Sequence, residues 1–219
     1  PVRLPEIRMA QDGERVTGWN MDRIRAPEVW DILQLDGTGI VIGSMDTGVD
    51  IAHPALVGRW RGGANSWVDI VNGSPDPYDD HGHGTHTIGT LVGGDGPGPF
   101  GEDIGLAYNA RFISAKVLDQ NNQFSSASIV IAGAQWMLDP DDDPLTDDFP
   151  HVINNSWYFY SQTYAGFHAA AAAWSAAGII PVFCIGNEGP GSTTTRPPAN
   201  YDNTIGVGAT DVSDLIVYF

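Results

Sequence analysis

Cysteine and lysine are each reduced to one residue in this chain. Cys184 is the single thiol among 219 residues, so an intrachain disulfide framework is excluded. None is needed, because a chain of this length buries about 70% of the surface its unfolded form exposes. Ten Lys and Arg stand against 27 Asp and Glu, a formal charge of −17, and Lys116 is the one lysine. A phosphate backbone demands clustered cations, so a nucleic-acid partner is disfavoured. Long apolar runs are also missing. The Ala-rich stretch 164–177 is interrupted by His168 and Ser175 and is too short to span a bilayer, so no membrane helix is expected. Pro1 opens on neither Met nor a charged-then-apolar leader, and any targeting segment is expected to have been removed or to lie outside the sequence. Most of the acids are aspartate, which suits bound calcium, a salty environment or a highly soluble secreted protein, and composition does not choose among these.

Residues 1–18 carry two prolines and no periodicity, and they read as an extended arm or the tail of a pro-region; the domain proper is expected over 19–219. Residues 22–35 read as a helix, with Pro27 in its first turn and Gly37 beyond its end. Apolar runs then predict strands at 39–45, 66–70, 111–117, 151–156, 179–185 and 204–210, and helical patterns fall at 84–93, 125–138 and 164–177. Strand and helix alternate at βαβ spacing, which predicts an α/β fold with a mainly parallel sheet covered by helices on both faces. Ligands of such sheets gather at the carboxyl ends of the strands. Asp46, Ser156 and Asn187 stand at or just after such ends, and His83 opens a helix.

Three motifs each admit a rival meaning. Asp46-Thr47-Gly48 after an apolar strand fits an aspartic protease, but that chemistry needs a second carboxylate of the same kind, and there is no second D-T-G. His81, His83 and His86 form an H-x-H-x-x-H cluster of the kind that holds zinc in metal-dependent hydrolases, with Thr85 where that motif has its aspartate. Gly186-Asn187-Glu188-Gly189, taken alone, is an ordinary turn.

Together the motifs run in the order Asp, His, Asn. With the segments WNMDRIRAPEVWD, GTGIVIGSMDTGVDIAHPAL, YDDHGHGTHTIGTLVG, HVINNSW, AAGIIPVFCIGNEGPG and PPANYDNTIGVGATD, the chain resembles the subtilisin-like serine proteases (subtilases, peptidase family S8), and within them the bacillopeptidase F group. The resemblance covers 19–219. It implies a three-layer α/β/α sandwich, in which Asp46 orients His83, the catalytic base, and the Asn187 amide serves the oxyanion. It further implies that Asn155, Ser156 and Trp157 pair with substrate backbone, that Cys184, Ile185 and Gly186 form the opposite wall, and that the protein is a secreted endopeptidase acting on protein or peptide substrates with no organic cofactor.

The chain departs from this family at several points. The G-T-S nucleophile motif does not occur before Phe219, so the chain alone, lacking the C-terminal third of the fold, is expected to be inactive, with serine supplied by a missing segment or a second chain. A pseudoprotease that only binds peptides is the rival reading, and a zinc hydrolase the third. Tyr158-Phe159-Tyr160 replaces the glycines common after the Ser-Trp pair. Ala55 and Leu56 follow His53-Pro54, where an acidic calcium ligand is common, so that calcium site is not expected. Cys184 and Ile185 are larger than the residues many relatives carry, which predicts a narrowed pocket, although Cys184 also reads as a small buried hydrophobe.

The loop 139–148 holds six carboxylates. Asp139, Asp141 and Asp143 alternate as in the opening of an EF-hand loop, which makes them the calcium candidates, but Pro144 replaces the turn glycine and a solvated acidic loop is the competing reading. Asp76, Asp79 and Asp80, near His83, read either as an ordinary polar loop or as a field favouring basic substrate residues.

Overall fold

The computed structural model describes residues 17–94 and 104–218. The arm read at 1–18 therefore lies outside the described residues apart from Thr17 and Gly18. A helical turn α1 (Trp19–Arg23) and a second, α2 (Ala26–Asp31), lead into strand β1 (Val41–Asp46). There follow β2 (Trp67–Asp69), α3 (His83–Val92), β3 (Arg111–Lys116), α4 (Ala127–Leu138), β4 (Val152–Asn155), α5 (His168–Ala176), β5 (Ile180–Cys184) and β6 (Ile205–Val207). The six strands form one sheet in the order β2-β3-β1-β4-β5-β6, and every strand pair is parallel.

The alternation of side chains along β1 and β3 builds the layers. Ile42 and Phe112 enter a cluster with Ile88 and Val92 of α3. Met45, Ile113 and Ala115 point the other way, joining Val130, Ala134 and Met137 of α4 and Ala171 and Trp174 of α5. Helices thus cover both faces, giving the three-layer α/β/α sandwich. Gly43 lets α4 close on β1, since a Cβ there would lie 2.8 Å from the Met137 sulfur.

Two boundaries differ instructively. The helix read across 22–35 breaks because Arg25 adopts a left-handed conformation (φ 62°), and it ends at Asp31. Pro27 nonetheless sits in the first turn of α2, where its missing N–H costs nothing. The helix read from 164 begins at His168, because Tyr164 and His168 first close two separate turns on Ser161 and Ala165.

Because strands extend from β1 in both directions, β1 lies between β3 and β4 at the switch in strand order. Its last residue, Asp46, stands opposite Lys116 of β3, and Met45 opposite Asn155 of β4. The crevice beyond these carboxyl ends is where an open α/β sheet binds ligand.

Trp174 anchors the α4/α5 layer. It is 1% exposed, donates its indole N–H to the Ala134 carbonyl at 2.9 Å and packs against Phe167 and Phe183. Trp174→Ala should cost about 3–5 kcal/mol by leaving a cavity and should lower the calorimetric Tm by about 10 °C. A change below about 1 kcal/mol would contradict this packing.

Candidate active site

Strand β1 carries Asp46 out of the sheet and helix α3 begins with His83, so two unrelated segments meet at one point. His83 Nδ1 lies 2.7 Å from Asp46 Oδ1. Asp46 has no solvent access, whereas the His83 side chain retains 29% exposure. The same Oδ1 accepts the Thr47 amide at 2.7 Å, and Oδ2 accepts the Thr87 hydroxyl at 3.3 Å. The hydrogen bond to Asp46 raises the His83 pKa above its ordinary 6.5; burial opposes it, and the charges of Asp46 and Asp79 add to the rise. Asp46 and His83 are evident from the sequence, whereas Thr47 and Thr87 are not.

Glycine makes the approach feasible. A Cβ at Gly84 would lie 2.1 Å from the Gly48 carbonyl oxygen and 3.2 Å from Asp46 Cβ, so only hydrogen fits between α3 and the turn after β1.

The cleft beside His83 has a volume of about 430 Å³ and is also lined by Ser156, Trp157, Tyr158, Tyr160 and Asn187. Asn187 is exposed just beyond β5. Phe124, Gln123 and Leu118 form a further part of the wall. No motif in the sequence singles these three out. Their signal is position, on the loop leaving the carboxyl end of β3.

The other residues expected to line the substrate path behave differently. Asn155 is fully buried and donates to the Ile153 and Val182 carbonyls at 3.2 and 3.1 Å, so its side chain ties β4 to β5 and does not face the cleft. The Ile185 amide donates to Val207 and its carbonyl accepts the Arg196 amide, so that residue's backbone is already paired within the chain. Cys184 is half-buried against the Trp157 carbonyl, at 3.6 Å, and burial pushes its thiol pKa up, which accords with a small hydrophobe. Gly186 takes φ +96° at the turn that delivers Asn187.

Tyr158 and Tyr160 close one side of the cleft. The Tyr158 hydroxyl donates to Glu188 Oε1 at 3.1 Å, Arg196 Nε donates to Glu188 Oε2 at 3.1 Å, and a second Arg196 nitrogen donates to the Tyr160 carbonyl at 2.7 Å. Burial, followed by Glu188, pushes the Tyr158 pKa up to about 12. The acidic group before His83 is similarly engaged. Asp79 is held by hydrogen bonds from neutral donors, which leave its charge acting on His83, and Asp80 is paired with the fully buried Lys116 at 2.7 Å.

Among the described residues His81, His83 and His86 do not converge as a set of metal ligands. His83 Nδ1 is committed to Asp46, and His81 stands 6.2 Å from His83 between ring centroids. Among the described residues the convergent set of potential ligands is Asp139, Asp141 and Asp148. Asp148 thus takes the place expected for Asp143, whose carboxylate instead accepts the Leu145 amide at 3.1 Å. A second cavity, of about 420 Å³, lies at the amino ends of β1 and β4 beside Arg61 and His151 and is remote from Asp46.

Replacing Asp46 by Asn should bring the His83 titration down towards 6.5, followed through the imidazole proton resonances in NMR. The sign follows from the raised folded pKa: the interaction stabilises the fold below the unfolded value and is lost as pH rises through the folded one. A His83 titration unchanged in the variant would sink this account of the pair.

Similarity to known proteins accords with this geometry. The subtilase family (peptidase S8) model matches residues 37–219. The chain is 39% identical over 238 residues to bacillopeptidase F of Bacillus subtilis (strain 168), covering 100% of this chain and 16% of that protein. It is 36% identical over 182 residues to the serine protease AprX of the same organism, covering 81% of this chain and 39% of AprX. Against subtilisin Savinase of Lederbergia lenta it is 33% identical over 193 residues, covering 88% and 63%. The chain therefore spans less than two thirds of each of these relatives. With the family model covering most of its length and Asp46 and His83 paired across β1 and α3, the chain belongs to the subtilase family of serine proteases.

Proposed function

We propose that this chain contributes the base, its orienting carboxylate and an oxyanion donor to a secreted serine endopeptidase, with the nucleophile coming from further polypeptide. The observation that carries the reading is the 2.7 Å contact between His83 Nδ1 and the buried Asp46, opening on a cleft shared with Asn187. Asp46 fixes the imidazole tautomer, leaving Nε2 to take the serine proton. The serine oxygen then bonds to the scissile carbonyl carbon, and the Asn187 amide donates to the oxyanion. Loss of one such donor costs about 10²–10³-fold in kcat, a range that comes from subtilisin itself and not from this geometry. Collapse breaks the C–N bond as His83 returns the proton to the leaving amine, and water releases the acyl group by the same steps in reverse order.

Peptide backbone would lie along Ser156 and Trp157 as an added strand. The aromatic wall of Phe124, Tyr158 and Tyr160 suits apolar side chains. A covering segment is supported by β6, the edge strand, where Ile205 and Val207 remain 52% and 50% exposed. Secretion is part of the resemblance to subtilisin-like proteases, and no helix among the described residues is long and apolar enough to cross a membrane.

Calcium belongs at Asp139, Asp141 and Asp148, whose carboxylate oxygens are hard donors that converge within 4.8 Å. The buried Asp148 Oδ2 has no hydrogen-bond partner among the described residues, which fits a site for a cation. These aspartates precede β4, away from the carboxyl ends of the strands, so the ion would brace the fold and take no part in hydrolysis.

The test is a fluorophosphonate serine probe combined with intact mass under denaturing conditions. Labelling of a serine on covering polypeptide, abolished by His83→Ala, is the expected result. A folded protein that binds peptides in the cleft but takes no label would favour the binding-only reading.

A further inference from the structure

Asp79 lies outside the Asp-His-Asn set, yet more hydrogen bonds converge on it than on Asp46. Its Oδ1 accepts the Thr47 hydroxyl at 2.8 Å and the amides of Gly82 and His81 at 2.8 and 3.2 Å. Its Oδ2 accepts the amide and the hydroxyl of Thr85 at 2.8 and 2.6 Å. The donors on His81, Gly82 and Thr85 belong to the turn leading into α3 or to its first residues, and the Thr47 hydroxyl belongs to the turn that follows β1.

Thr47 completes the bridge. Its hydroxyl has one proton, given to Asp79, and so its lone pair is free to accept the Gly84 amide at 2.8 Å. The Thr47 amide binds Asp46, and its carbonyl accepts the buried Lys116 ammonium at 2.6 Å. Every polar atom of Thr47 is therefore used, with Asp46 on one side and the residue after His83 on the other. A Cβ at Gly48 would lie 2.0 Å from the Tyr78 carbonyl, so the loop carrying Asp79 is pressed directly onto this turn.

We infer that Asp79 is a positioning residue for the catalytic pair: through the Thr47 hydroxyl and the α3 amides it locks the start of α3 onto the Asp46 turn and thereby holds His83 on Asp46. The inference rests on the reading of His83 as a base and Asp46 as its orienting carboxylate. Asp79 itself touches neither the cleft nor the imidazole. A side chain tied by five neutral donors should stay ionised, and it does: burial alone would raise its pKa, but the Thr85 hydroxyl, the Gly82 and Thr85 amides and the Thr47 hydroxyl hold it down to about 2. The charged and titratable groups facing His83 are Asp46 from β1, Asp79 and His81 from the preceding turn, and Tyr158 across the cleft. Of these, Asp46 and Asp79 raise the imidazole pKa by their charge.

Two variants separate alignment from charge. Asp79→Ala removes the acceptor, and should lower kcat on the pH plateau by about 10- to 100-fold, as expected for a misplaced base, with KM changed less than about twofold. Asp79→Asn keeps one acceptor oxygen and loses the charge. It should retain most of the plateau kcat while the acid limb of the pH profile and the His83 NMR titration both move to lower pH. Thr47→Val should reproduce the Asp79→Ala loss, add little to it in the double variant, and be largely recovered by Thr47→Ser.

The His83 titration needs no turnover, so it is read even if the protein cleaves nothing. In that event the protease reading fails, while a His83 titration lowered in Thr47→Val, which breaks the bridge and leaves the Asp79 charge in place, still supports the positioning role. If Asp79→Ala does not fold, Asp79→Asn and the Thr47 pair decide. The inference is overturned if folded Thr47→Val leaves the His83 titration at its wild-type value, or if it keeps full kcat.

Discussion

A carboxylate sealed from water must be surrounded by donors, and Asp46 is such a group. Its position at the end of the central strand is fixed by the sheet, so the donors have to be brought to it. The Thr47 amide comes from the same turn, whereas the imidazole and the Thr87 hydroxyl arrive on α3. Much else in the neighbourhood follows from that requirement. Gly84 and Gly48 have no side chains because α3 must approach within backbone contact distance. The imidazole that answers this buried charge becomes more basic, which is the property a proton-accepting group needs near neutral pH.

The scarcity of cations has a structural counterpart. The one lysine is not a surface charge: it is fully buried, bound to Asp80 and to the carbonyls of Thr47 and Leu118. Arg196 is tied to Glu188, and Arg23 joins α1 to Asp214 near the other end of the chain at 3.0 Å. Lys116 and Arg23, and Arg196 through its bond to the Tyr160 carbonyl, therefore fasten segments that are remote in sequence. At the cleft, Arg196 has a further effect, since with Tyr158 it occupies both oxygens of the carboxylate next to Asn187.

Much of the architecture is legible in the sequence because it depends on local patterns. The apolar run before Asp46 reads as a buried strand, and the βαβ spacing predicts the parallel sheet with both faces covered. Boundaries are less legible where a single backbone conformation decides them, as at Arg25. The order Asp46, His83, Asn187 points to a site, and the resemblance selects His83 from the HGHGTH segment; its place at the helix start and its contact with Asp46 accord with that choice. Asn155 is expected to pair with substrate through its backbone, and nothing in the sequence signals that its buried side chain ties β4 to β5 through the Val182 carbonyl. Asp148 is not evident beside Asp139 and Asp141 because the folding of an irregular loop, not spacing, brings it there. The roles of Thr47 and Asp79 depend on two loops meeting, which no periodicity encodes.

The central claim is that His83, held by Asp46, acts as the base for a serine nucleophile. It is tested most directly by the pH dependence of the fluorophosphonate labelling rate on the protein with its serine-bearing polypeptide. The account predicts a rate that rises through one ionisation above the ordinary histidine value of 6.5, with that ionisation moved down in Asp46→Asn. A labelling rate independent of pH across the histidine range, or one that His83→Ala leaves intact, would contradict it.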